Sequence, residues 1–140
     1  MGKLHIQNPY ITQPDPQTAR LCANIVIDGV MRTLYYEVPR EYKRYLCTER
    51  SDAFILSILQ YAMFHNLSVS WVAPVTQRLL YQLKTIFMSA ISERFPLRYH
   101  EIALLGDTTT EELPKSTWAA ATKVSPSVEA FYTILKHRDL

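Results

Sequence analysis

From Leu21 to Asp28 the chain alternates, with Leu21, Ala23, Ile25 and Ile27 on one side and Cys22, Asn24, Val26 and Asp28 on the other. A period of two predicts a β-strand. Asp28-Gly29 follows as a two-residue turn signal, because glycine accepts positive φ. Val30 to Val38 is rich in β-branched and aromatic residues, and the two segments together predict a β-hairpin. Upstream, Asn8 to Gln17 holds Pro9, Pro14 and Pro16, which predicts an irregular N-terminal arm over residues 1–19. A single α/β domain is expected from residue 20 to residue 140.

Beyond the hairpin the period changes. Pro39 suits the first turn of a short helix over Arg40 to Cys47. Ser51 or Asp52 can cap a helix from Ala53 to His65, whose Phe54, Ile55, Ile58, Leu59, Ala62 and Met63 recur at helical spacing. Asn66 can end it in a left-handed conformation. Leu67 to Val72 alternates as a short strand. Pro74 opens the longest predicted helix, to about Glu93, with Val75, Leu79, Leu83, Ile86, Phe87 and Ala90 as its apolar stripe. Tyr99 to Leu105 reads as a strand, Gly106-Asp107 as a turn, and Thr108 to Glu112 as polar loop or a short helical turn. Thr117 to Val124 reads as a strand, although its alanines also suit a helix, and Val128 to His137 as a final helix. The predicted order is β-β-α-α-β-α-β-β-α. That order implies an α/β fold in which an N-terminal β-hairpin precedes helices and a small mixed, partly parallel sheet.

Composition narrows the function classes. Of 140 residues, 48% are hydrophobic and 20% charged, as in a globular domain. The net charge of +2 is too small to imply nucleic acid or an anionic membrane as partner. The basic cluster Arg40, Lys43, Arg44 and Arg50 reads as a solvated helix face. Met1 to Tyr10 lacks the charge-flanked apolar core of a signal peptide. Neither Ala53 to Phe64 nor Leu79 to Ile91 approaches the ~20 apolar residues of a membrane span. Cys22 and Cys47 are isolated, which fits a reducing compartment, so a cytoplasmic location is expected.

The segment Thr117 to Lys136 is the one stretch with a chemical signature. An apolar strand enters a tight loop and then a helix, the layout that aims backbone N–H groups and a helix N-terminus at an anion. Ser125, Pro126, Ser127, Val128, Glu129 and Ala130 lie where a PP-loop protein has Ser-Gly-Gly-x-Asp-Ser. Phe131 to His137 then resembles that family's helix. Upstream, Arg50 to Leu56, Leu59 to Met63, Ala73 to Thr76 and Leu79 to Leu83 resemble a region preceding the loop in asparagine-synthetase-like PP-loop proteins. The resemblance implies that residues 117–140 are the first strand-loop-helix of a nucleotide domain, with Ser125, Ser127, Val128 and Glu129 as a degenerate phosphate site. Pro126 and Ser127 replace the glycines that let the backbone approach pyrophosphate, and Pro126 removes an N–H donor. Ala130 replaces the last hydroxyl. Each lost charge-assisted bond to phosphate costs about 1.5–3 kcal/mol. Ser125 as N-cap with Pro126 at the first helical position is equally an ordinary way to begin a helix.

The other candidates are weaker. His5, His65, His100 and His137 share no ligand spacing, and no HExxH motif is present. Glu111-Glu112 and Glu101 are candidate paired carboxylates, although adjacent acids in a polar loop are usually solvated. Tyr35, Tyr36, Tyr42 and Tyr45 lie among Arg32, Arg40, Lys43 and Arg44, a mixture that can stack on single-stranded nucleic acid or simply cover a small sheet. Trp71 and Trp118 read as core or interface anchors. The resemblance therefore implies a non-catalytic PP-loop-like interaction module, with no cofactor of its own. Its partner would be a second copy, or another protein, at an open sheet edge. Two rivals stand beside it: half of a split ATP-dependent ligase or amidotransferase, with ATP bound only when a partner completes the site, and a small nucleic-acid-binding module using residues 32–45.

Overall fold

The computed structural model describes residues 2–111. The element order is β1 (Gly2–Ile6), β2 (Tyr10–Asp15), β3 (Thr18–Ile27), β4 (Val30–Pro39), a 3-10 helix (Arg40–Tyr45), α1 (Asp52–Phe64), β5 (Leu67–Trp71), β6 (Val75–Thr76), α2 (Gln77–Gln82), a π-helical segment (Leu83–Phe87), α3 (Met88–Arg94), β7 (Leu104–Leu105) and β8 (Thr108–Thr109). The fold is mixed α/β, as the alternation of periods implied. No helix among the described residues is long and apolar enough to cross a membrane.

The β3–β4 hairpin forms where the alternation predicted it. Ten unbroken antiparallel pairs run from Ile27↔Val30 to Thr18↔Pro39. Asp28 at φ 48° and Gly29 at φ 85° supply the two left-handed residues of the turn. On its other side β3 pairs antiparallel with both β1 and β2, and β1 pairs parallel with β5. β5 in turn pairs parallel with β7, and among the described residues β4 is one edge of the sheet. One face carries Leu4, Ile6, Leu21, Ala23, Ile25 and Val69, all buried. α1 lies on that face and contributes Phe54, Ile55, Ile58, Leu59, Ala62 and Met63, the six positions its spacing predicted. Asn66 ends the helix at φ 53°, as expected.

Several expectations are overturned. The supposed irregular arm is structural: β1 lies in the middle of the sheet, so residues 2–19 belong with the rest of it. Pro14 is accommodated in β2 because the β2–β3 register shifts between Thr12 and Asp15, where the ladder needs no N–H from it. The Arg40 segment is helical as expected, though a 3-10 helix ending at Tyr45, and its lack of any buried residue agrees with a solvated face for Arg40, Lys43 and Arg44. Arg50 is not on a solvated face but 6% exposed, with Nη2 donating to the Glu111 carbonyl at 2.8 Å. Neither Ser51 nor Asp52 caps α1 through its side chain. Instead Ser51 Oγ donates to the Ala73 carbonyl at 2.7 Å, and Asp52 accepts from the Thr76 N–H at 2.8 Å.

The long helix opens at Gln77 rather than Pro74, because Val75 and Thr76 pair with β8. Its π-helical segment adds a residue to one turn and resets the buried side. Leu80, Leu83 and Met88 are buried, whereas Ile86 and Phe87 of the predicted stripe are exposed. The strand expected over Tyr99 to Leu105 contracts to Leu104–Leu105, and Thr108–Thr109 pairs as β8 where loop or a helical turn was expected. A Cβ at Gly106 would meet the Trp71 indole, whose Nε1 donates to the Asp107 carbonyl at 2.8 Å.

Candidate functional site

The groove beside β4 follows from the sheet being wider than the helix on it. Even-numbered β4 residues pair with the core-facing residues of β3, so Arg32, Leu34 and Tyr36 point to the α1 side. α1 covers β1 and β5 but stops short of β4. The result is a cleft of about 560 Å3 with Ile25, Ile27 and Leu34 in its floor and Ser57, Ile58 and Tyr61 along α1. Tyr36 closes one end, stacking edge-on against Phe54 and donating its hydroxyl to the Ala53 carbonyl at 2.7 Å. Arg32 is the cation in this lining and forms no ion pair among the described residues. The lining offers apolar surface with one charge at its rim, which suits an apolar side chain of a protein partner.

The opposite face of β4 is knitted to its neighbours. Asn24 Oδ1 accepts from the Thr33 and Tyr10 hydroxyls, each at 3.0 Å. Arg20 Nε meets Glu37 Oε1 at 2.8 Å, and its guanidinium sits 4.2 Å from the centre of the Tyr35 ring. The Glu37 carboxylate raises the Arg20 pKa further above its already high ordinary value. At the start of β3, the Gln17 N–H, 2.7 Å from Asp15 Oδ1, holds the Asp15 carboxyl below its ordinary 3.8.

The phosphate-site candidates Ser125, Ser127, Val128 and Glu129 lie outside the described residues, as do Glu112, Trp118, His137 and the strand-loop-helix expected there. The basic and tyrosine residues of 32–45 are not gathered on one surface. Arg32 and Tyr36 face the groove, Tyr35 faces the other side, and Arg44 is folded over Tyr45 with Nη2 2.9 Å from its hydroxyl. His5 Nδ1 is 2.7 Å from Ser70 Oγ, while His65 stacks on Tyr61 with ring centres 4.2 Å apart. Glu101 accepts from Ser89 and Ser92. Cys22 is buried and Cys47 half-buried, both free. Among the described residues no three His, Cys, Asp or Glu side chains stand together as metal ligands.

Sequence reasoning missed the groove because its walls come from segments more than twenty residues apart. The available signal was in β4, where Val30, Leu34, Tyr36 and Val38 on one side and Met31 and Tyr35 on the other are apolar or aromatic although an edge strand is solvated. Fold and groove together define a mixed α/β protein with a mixed sheet, in which β4 has a neighbour on one side only among the described residues. Comparison with known protein families, with curated proteins and with solved structures found no match to this chain.

Proposed function

We propose that this chain is a PP-loop-like protein-interaction module that carries out no reaction by itself and engages its partner through β4. The observation that supports the reading is the open β4 edge beside the apolar groove. Met31 is 58% exposed and Tyr35 53% exposed on a ten-residue strand with no neighbour on its outer side among the described residues. Such an edge is a template for another strand. The loss of both loop glycines at Pro126 and Ser127 supports the non-catalytic half of the reading.

Two measurements test it. Calorimetric titration with Mg-ATP and with pyrophosphate should give no heat up to millimolar ligand. Micromolar binding weakened by Ser125→Ala would overturn the non-catalytic reading in favour of a split enzyme. A photo-reactive residue replacing Tyr35 in intact cells should cross-link the chain to one defined polypeptide, and the same residue replacing Tyr81 should not. No specific adduct from position 35 would overturn the interaction reading.

A further inference from the structure

The hydrogen-bond phase of β4 points to a particular partner. We propose that β4 pairs antiparallel with β4 of a second copy of this chain, about a twofold axis at Leu34. This rests on the reading of β4 as the interaction edge.

The phase is fixed by two bonds at the margins of the hairpin. Arg40 N–H donates to the Gln17 carbonyl at 2.8 Å, which continues the β3–β4 register by one pair. Gln7 N–H donates to the Asn24 carbonyl at 2.9 Å, which shows even-numbered β3 residues turned toward β1. Antiparallel bonds alternate along a strand. Even-numbered residues of β4 therefore bond β3, and Met31, Thr33, Tyr35 and Glu37 present N–H and C=O outward.

A strand that must stay single normally carries protection: a lysine, an inward-pointing charge, an internal proline or a bulge. β4 has no lysine, its ladder with β3 is unbroken, its one proline is the last residue, Pro39, and its one inward charge is Arg32 at the groove. Pairing about Leu34 sets Met31 opposite Glu37 and Thr33 opposite Tyr35, so that all four outward residues of each copy are used. Exchanging two bonds at each pair gives about eight bonds. A shift to an axis at Tyr35 would put Pro39, which has no N–H, opposite Met31.

Charge and packing agree with that register. Arg32 and Glu37 are the charged residues of β4, and neither meets its own copy there. Arg32 meets the Tyr36 ring instead, a cation–π partner. Leu34 meets Leu34 as a non-hydrogen-bonded pair, the closer kind, in the floor of the groove. The two grooves then share one floor, and each is narrowed by the other copy's Arg32 and Tyr36.

Sedimentation of the full chain should show a concentration-dependent dimer. The amides of Thr33 and Tyr35 should exchange slowly in the dimer and fast on dilution. Thr33→Pro removes an outward donor while leaving the β3 ladder intact, and should weaken the dimer roughly 100-fold. Leu34→Lys and Leu34→Glu should each be monomeric, and an equimolar mixture should dimerise again, because position 34 faces position 34. A monomer at high micromolar concentration with fast-exchanging Thr33 and Tyr35 amides would overturn the proposal. So would a dimer indifferent to all three substitutions. If position 35 still cross-links a different polypeptide in cells while the pure chain is monomeric, the interaction reading survives and the second copy does not.

Discussion

Two side chains near the ends of elements do more than local work. Ser51 is fully buried, and its hydroxyl ties the start of α1 to the Ala73 carbonyl before β6. Ser51→Ala leaves that carbonyl without its partner, and we expect a loss of about 1–3 kcal/mol in urea denaturation. Asp15 gives a pH dependence of known sign. Its carboxyl is held below 3.8 by the Gln17 N–H. Its contribution to stability is therefore present above 3.8 and is lost as pH falls through the lowered folded value. A carbon-detected titration should show Asp15 titrating below an ordinary aspartate, and Asp15→Asn should remove that part of the acid sensitivity. Arg50 shows why composition alone misleads at this scale. Its neighbourhood Arg40, Lys43 and Arg44 is solvated, but Arg50 turns inward to the Glu111 carbonyl, sixty-one residues away.

Elements were legible where one period governs them. The β3–β4 hairpin and α1 follow from alternation, from Asp28-Gly29 and from helical spacing, and both stand within three residues of their expected bounds. β2 was hidden by its prolines, because a bulge tolerates a missing N–H and no local pattern announces a bulge. The helix after β6 was legible as a helix but not in its buried face. Leu83 and Met88 are five residues apart, a spacing that only the π turn brings to one side. Deleting Lys84 would restore a spacing of four. We expect that deletion to cost less stability than deleting Gln60 from α1, which would turn Ala62 and Met63 out of the core. Thermal unfolding of both variants, with helix content followed by circular dichroism, decides this. The groove was illegible for a different reason: α1 and β4 each look ordinary alone, and the gap between them is a property of their widths.

At the scale of the whole molecule, the sheet is held together by its first strand. β1 joins the β3 side to the parallel β5–β7 side, and Leu4 and Ile6 are fully buried. Removing residues 1–7 should leave a chain without cooperative unfolding, whereas removing residues 112–140 should leave the β1–β5 pairing intact. Calorimetry on both truncations separates these outcomes. The same placement bears on the parts assigned to partners. The β4 edge is separated from the β1–β5 joint by all of β3, so a substitution at Thr33 leaves that joint untouched, whereas Leu34 packs against the core and its variants are compared by thermal unfolding as well as by assembly.

The parallel β1–β5 pair has a consequence in time. Gly2 faces Leu67 and His5 faces Ser70, sixty-five residues on. At about 5–20 residues per second of synthesis, β1 leaves the ribosome about 3–13 s before its parallel neighbour exists. The hairpin, which closes in microseconds, can hold β1 on its antiparallel side during that wait. A nascent chain stalled before Leu67 would thus carry β1 with one flank bare, open to a holding chaperone until β5 arrives.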